Sequence, residues 1–489
     1  MLLKHFFLPK IAHSSWLLAG DGTCAVIDPQ RDVDIYIREA RALGVAITHV
    51  LETHLHADFI SGHLELARRS GAVIVAPRSA GCSFPHRAVA EGDEIELEHM
   101  RLRVLETPGH TPEHVSYVVR DTTRGAQPVG VFCGDTLFVG DVGRPDLFPG
   151  RAAELAEKLF HSLHGKLLKL PGHCEVYPAH GAGSLCGRAM GAKWWSTIGF
   201  ERAANAALRI GDPLEFIRSL TTDMPPAPDH FGRCSEINRS GPALLSDLPV
   251  LGEIPPRRFA ALRDKPGHAV LDVRSYAAFS GMHIPGAWHI DLNGNFPTFA
   301  GWVLPGDQDI LVVADRPEDA LTAVAWAQRV GCDRLVASLD GGMAAWTPAG
   351  LRTTALPLVS AQELYERLQA SPDIALVDAR TPQEFAAGHI EGARNIPAPD
   401  LRRRWRELEP GRPTYVICSS GNRSSLAASI LAQHGFTTLF NVAGGMTGYS
   451  AARHSRRCRS CHSPTARSSA RANRSSRVGG NSRNRRPEK

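Results

Sequence analysis

Thr53-His54-Leu55-His56-Ala57-Asp58-Phe59 sets two imidazoles and a carboxylate at alternate positions. Alternate side chains of an extended loop point the same way, so His54, His56 and Asp58 are expected to converge on one point and serve a metal ion. Phe59 stands where a two-metal version of this loop needs another nitrogen ligand. A hydrocarbon ring cannot coordinate, and it dries the pocket so that charge there is costly. That position bears on whether the site holds two metals or one. More ligand types follow at loop positions: His110 in Thr107-Pro108-Gly109-His110, Asp135 in Cys133-Gly134-Asp135-Thr136, and His180 in Pro178-Ala179-His180-Gly181. Each lies near the end of an apolar strand, where α/β folds gather their sites.

A second kind of chemistry sits far downstream. The strand Thr414-Tyr415-Val416-Ile417 leads into Cys418-Ser419-Ser420-Gly421-Asn422-Arg423-Ser424 and then a helix. A thiol at such a junction faces backbone N–H groups and the positive end of a helix. Both favour anionic sulfur, whether thiolate or persulfide. Arg423 adds a fixed positive charge to the loop.

Short strands alternating with helices position the first group. Trp16-Leu17-Leu18 and Cys24 to Asp28 flank a Gly20-Asp21-Gly22 turn and read as a hairpin. A helix from Ile35 to Leu43 ends at Gly44, and the strand Ala46 to Leu51 delivers the His54 loop at its carboxyl end. Helix Gly62 to Ser70 and strands at Ala72 to Val75, Arg101 to Leu105, His114 to Val119 and Gly130 to Phe132 follow. Loose patches from Asp223 to Asp229 and from Asn238 to Pro256 mark the exit from a domain spanning 1–240.

The chain then repeats itself. Asp272 and Arg274 return as Asp378 and Arg380, and His283-Ile284 returns as His389-Ile390, both 106 residues on; Gly341-Gly342-Met343 returns as Gly444-Gly445-Met446. Landmarks in one order predict a duplicated α/β domain over 250–355 and 356–452. Aligning Leu311-Val312-Val313 with Tyr415-Val416-Ile417 puts Ala314 opposite Cys418 and Asp319 opposite Arg423. The first copy has no nucleophile and an inverted charge, and reads as an inactive spacer packing the second copy against the metal domain.

Residues 1–240 resemble the metallo-β-lactamase superfamily. In its glyoxalase-II-like members two metals are bound, with the Asp135 equivalent as the bridge. Persulfide dioxygenases of the same superfamily use one iron(II), and the resemblance implies His54, His110 and Asp135 as its ligands. Two histidines and a carboxylate with other positions open suit O₂ chemistry at non-haem iron. His56, Asp58 and His180 then orient ligands or waters from behind. Asp141-Val142-Gly143-Arg144-Pro145-Asp146 also looks like that branch, with Arg144 expected to pair with an acidic part of a thiol cofactor. Residues 356–452 resemble a rhodanese sulfurtransferase, with Cys418 and Arg423 as catalytic residues. The whole resembles bacterial persulfide dioxygenase–sulfurtransferase fusions, which implies an αββα sandwich followed by two rhodanese-like α/β domains. It also implies one Fe(2+) per chain, and oxidation of a glutathione or coenzyme A persulfide by O₂ to sulfite. Cys418 then links sulfite and thiosulfate. A zinc-dependent thioester hydrolase and a non-oxidative sulfur carrier or sulfide-responsive binding protein are the alternatives.

Composition excludes other classes. With 43% apolar and 21% charged residues the chain reads as an ordinary soluble protein, and no apolar run approaches a membrane span, so a cytoplasmic location is expected. Twelve Lys/Arg against one acid lie beyond residue 452, leaving −6 for the rest of a chain whose net charge is +5. An acidic body argues against nucleic acid as a partner. The tail 453–489 reads as disordered, and its lone Cys458/Cys461 pair is assigned no function. A homo-oligomer is left open.

Overall fold

The computed structural model describes residues 1–451 apart from 223, 225, 371 and 372. The tail 453–489 lies outside the described residues. Two six-stranded sheets build the N-terminal part. In the first, Leu2–Leu8, His13–Ala19, Thr23–Ile27, Ala46–Leu51, Val73–Pro77 and Arg87–Val89 lie side by side in chain order. The second runs Ser196–Thr197, Glu175–Pro178, Gly130–Gly134, Val115–Asp121, Met100–Glu106, Glu94–Leu97.

Alternation along the strands feeds two cores at once. Trp16, Leu18, Ala25 and Ile27 meet Leu102, Val104, Tyr117 and Phe132 between the sheets. Their neighbours Leu17, Val26 and Val50 face outward onto Tyr36, Ala40 and Leu66 of the helices Asp34–Leu43 and His63–Ser70. Helices Ala152–Gly165 and Pro213–Thr221 cover the far sheet through Leu159, Leu163 and Phe216. The result is the αββα sandwich expected from the sequence. Gly44 takes a left-handed φ of 72°, which stops the first helix and turns the chain into the strand carrying the His54 loop.

The two repeats form separate five-stranded parallel sheets of the same order. One runs Gly252–Ile254, Leu335–Leu339, Asp309–Val313, His268–Asp272, Trp288–His289. The other runs Leu358–Val359, Leu439–Val442, Thr414–Ile417, Ala375–Asp378, Arg394–Asn395. The repeated landmarks are scaffold contacts. Arg274 binds Asp272 at 2.6 Å and Arg380 binds Asp378 at 2.7 Å. His283 stacks on Phe279 and His389 on Phe385, both at 3.8 Å. One apolar cluster, including Val270, Leu311, Val416 and Ile430, runs through both repeats.

The first repeat also grips the sandwich. Arg31 reaches Asp333 at 2.8 Å, and Arg329 holds Asp32 with two contacts of 2.6 Å. Phe59 joins Leu8 and Ile11 in a cluster against Trp326 of the first repeat.

The exit from the sandwich differs from the sequence reading. Between the two loose patches lies a helix, His230–Ser240, and Asn238, expected to begin the second patch, is buried near its end. Its Nδ2 donates to the carbonyls of His56 and Phe59, both at 2.8 Å, and its Oδ1 accepts the Ser61 N–H at 2.9 Å. One amide thus gathers three backbone groups of the metal-type loop. Asn238→Ala would leave them unpaired at about 1–3 kcal/mol each. Faster hydrogen exchange at the Ser61 amide and a lower unfolding midpoint are expected; unchanged exchange would contradict the clamp.

Candidate metal centre and reactive cysteine

His54, His110 and Asp135 present ligand atoms within 4.8 Å of one another. Each comes from a loop at the end of a strand, and each side chain is almost wholly buried. Their hydrogen bonds fix which atoms face inward. Thr53 Oγ1 donates to Asp28 at 2.9 Å, so it accepts from His54 Nδ1 at 2.9 Å. His110 Nδ1 donates to the Arg144 carbonyl at 2.9 Å. Both rings are therefore left with a bare Nε2 aimed at the centre. Those two atoms and Asp135 Oδ2 are buried without any hydrogen-bond partner, which is costly in a filled interior and natural for ligands of a cation.

Charge states agree with that use. Burial, then the neighbouring His56, pushes His54 well below its usual range; burial also lowers His110. Burial alone would raise Asp135, but His180, His110 and His54 outweigh it and hold the carboxyl well below its ordinary value. Neutral imidazoles and an ionised carboxylate are the forms a metal binds.

The other two members of the first motif point elsewhere, so His54, His56 and Asp58 do not converge. His56 Nε2 lies 3.2 Å from Asp28, and Glu52 completes that group. Asp58 pairs with His180 at 2.9 Å, beside Cys186. The loop is turned rather than extended, because Asn238 binds the carbonyls of residues 56 and 59 together. His180 Nδ1 hydrogen-bonds Asp135 Oδ1 at 2.7 Å, while its Nε2 lies 2.9 Å from Asp58 as an ion pair without hydrogen-bond geometry. Burial alone would lower it, yet the two carboxylates raise it well above the ordinary histidine value.

Arg144 departs from the sequence reading. It is 2% exposed, and its guanidinium binds Asp146 through two contacts of 2.7 Å. Its fork is taken by a carboxylate two residues on, and its carbonyl orients His110. Two contributors were not foreseen. His114 accepts the Asp135 N–H at 3.0 Å and stacks on His54 at 4.7 Å. Gly134 has φ 49°, and a Cβ there would meet His114 and Thr53 within 2.5 Å. In the sequence His114 reads only as the first residue of a strand, since a lone buried histidine has no spacing signature.

At the other site, Cys418 is 1% exposed and its Sγ accepts the Gly421 N–H at 3.1 Å. Arg423 does not aim a free charge at the sulfur. It binds Glu384 at 2.6 and 2.7 Å and Ser419 Oγ at 2.8 Å, bracing the loop instead. A cavity of about 380 Å³ opens beside Ser420, Asn422 and Arg423, walled across by Phe299 and Trp302 of the first repeat.

Residues 8–180 match the metallo-beta-lactamase superfamily. A crystal structure of a metallo-beta-lactamase from Staphylococcus aureus subsp. aureus COL superposes with a TM-score of 0.62 at 33% identity, covering 69% of this chain and 98% of that one. The chain belongs to the metallo-beta-lactamase superfamily. Rhodanese-like domains match residues 255–349 and 360–452. Within the superfamily the chain is 32% identical over 239 residues to a mitochondrial persulfide dioxygenase ETHE1 of Mus musculus, covering 47% of this chain and 85% of that one. It is 36% identical over 161 residues to a hydroxyacylglutathione hydrolase of Rhodospirillum rubrum, covering 32% of this chain and 57% of that one. Membership thus carries both a dioxygenase and a hydrolase among its neighbours. Among the described residues no helix is long and apolar enough to cross a membrane.

Two outcomes are expected here. His110→Ala loses bound metal by elemental analysis while His56→Gln keeps it; equal loss would place His56 among the ligands. Hydrogen bonds from Arg423 hold the Glu384 carboxyl at about 2, below its ordinary 4.5. A folded value below the unfolded one gives stabilisation that is complete above 4.5 and lost as pH falls toward 2. Carboxyl-carbon NMR is expected to find Glu384 still ionised at pH 4.5, and Arg423→Ala to return its midpoint toward 4.5.

Proposed function

We propose that this protein oxidises a low-molecular-weight thiol persulfide, of the glutathione or coenzyme A type, with O₂ at a single iron(II). Sulfur transfer through Cys418 is coupled to it. The observation that carries this reading is the set of three orphaned, buried ligand atoms on His54, His110 and Asp135, with Phe59 packed into the place of a further ligand. Iron held by two histidines and one carboxylate supplies open positions and electrons for O₂ and sulfur together. The overall change balances as R–S–SH + O₂ + H₂O → R–SH + SO₃²⁻ + 2 H⁺.

The chain's own residues shape that site. The Arg144 carbonyl and Thr53 keep the two imidazoles in the ligand tautomer. His180, held by Asp58, fixes Asp135 through one oxygen and leaves the other for the metal. Phe59, backed by Leu8, Ile11 and Trp326, keeps water from that side. In the second site, the Cys418 thiolate attacks the outer sulfur of a persulfide; the bond between its two sulfurs breaks, the thiol leaves as R–SH after taking a proton, and the outer sulfur is carried as Cys418–S–S⁻. Sulfite accepts that sulfur to give thiosulfate, and the reverse runs from thiosulfate.

Glutathione persulfide or coenzyme A persulfide is expected to drive O₂ consumption that His110→Ala abolishes. Unchanged uptake in that variant would sink the reading. Cys418→Ser is expected to keep O₂ uptake and stop sulfur transfer. The similarity to a hydroxyacylglutathione hydrolase supports a second reading, a thioester hydrolase. The proposal expects no hydrolysis of a glutathione thioester, and turnover of one would favour that alternative.

A further inference from the structure

The two repeats provide a comparison within one chain. Both keep the Asp–Arg pair and the stacked His–Phe pair that hold the scaffold. Three of their differences cluster around one sulfur. Ala314 and Ala320 align with Cys418 and Ser424. Ser338 corresponds to Asn441, because it pairs with Val312 across the sheet as Asn441 pairs with Val416. Ser424 and Asn441 are both wholly buried behind Cys418.

Their hydrogen bonds leave one choice open. Asn441 Nδ2 donates to the Gly421 carbonyl at 3.1 Å, which turns its Oδ1 toward Ser424, 2.6 Å from Oγ. Ser424 Oγ also lies 3.3 Å from Cys418 Sγ and 3.1 Å from the Gly421 carbonyl. A serine hydroxyl has a single proton for these acceptors. Neutral divalent sulfur accepts weakly, whereas an anionic sulfur makes a charge-assisted bond. The proton therefore rests on Asn441 while Sγ is neutral and turns to Sγ as charge arrives there.

We infer that Ser424 is a catalytic hydrogen-bond donor that stabilises Cys418 as the leaving group when its sulfane sulfur is discharged, with Asn441 as the positioning residue. The inference rests on the sulfur-transfer reading above. The step is Cys418–S–S⁻ + SO₃²⁻ → Cys418–S⁻ + S₂O₃²⁻. The sulfite sulfur attacks the terminal sulfur and a new S–S bond forms. The bond to Sγ breaks, and its electron pair stays on Sγ. Neither a proton nor an outside oxidant is needed. Charge leaves the terminal sulfur and appears on Sγ, where the Gly421 N–H and the Ser424 hydroxyl meet it. A donor whose bond is stronger in the transition state than before it accelerates that step. In loading, the thiolate is already present at the start, so the same bond gives no such gain.

The test loads the full-length protein with glutathione persulfide, adds sulfite, and follows the extra sulfur atom on Cys418 by intact-protein mass. Ser424→Ala and Asn441→Ser install the residues that the first repeat carries in the same scaffold. Ser424→Ala is expected to load at the wild-type rate and discharge about ten- to a hundredfold more slowly, so that persulfidated Cys418 accumulates. Asn441→Ser is expected to slow discharge less, and Ser424→Thr, which keeps the hydroxyl, to discharge faster than Ser424→Ala. Wild-type discharge in Ser424→Ala overturns the inference, as does equal slowing of loading and discharge. A wild-type protein that never takes up the sulfur atom overturns the sulfur-transfer reading beneath it.

Discussion

His180, held between Asp135 and Asp58, is the contact on which the N-terminal site turns. The two carboxylates favour the charged form of this buried imidazole. One oxygen of Asp135 is thereby occupied and the other faces His54 and His110. The same contact ties up Asp58. Phe59 beside it contributes only hydrocarbon, and Asp58, His180 and Cys186 form a second group whose ligand atoms lie within 4.8 Å of one another. The proposed single-metal chemistry rests on the orphaned atoms of His54, His110 and Asp135 and on the hydrocarbon ring of Phe59.

Phe59 also links this site to the rest of the chain. Its ring lies against Leu8, Ile11 and the first repeat's Trp326, and the Arg31–Asp333 and Arg329–Asp32 pairs flank the same junction. The residue that removes a ligand from one domain is thus a packing residue for the next. That gives the first repeat a structural place despite its lack of a nucleophile. Across the second junction it supplies Phe299 and Trp302 to the cavity beside the Cys418 loop.

Much of this was legible from residue types at strand ends. The duplicated parallel sheets follow from landmarks repeated at a fixed offset, and the αββα layers from the resemblance that the ligand-bearing loops carry. Those landmarks were readable because they are scaffold: a buried Asp–Arg pair and a His–Phe stack tolerate little change. Geometry that depends on partners distant in sequence was not legible. Asn238 looked like the start of a linker, yet it clamps the loop of His56 and Phe59 from 180 or so residues away. Arg144 read as a fork for a ligand because its partner, Asp146, gives no sign in sequence of turning inward. Arg423 read as a charge for the sulfur, and Glu384 on another helix takes that charge. Alternation placed His54, His56 and Asp58 together, but a turn in the loop sends them to three separate groups.

The central claim is one metal, and that metal iron, at His54, His110 and Asp135. Elemental analysis of the protein purified without oxygen tests it most directly. The account expects one iron per chain. Two zinc ions per chain would contradict it.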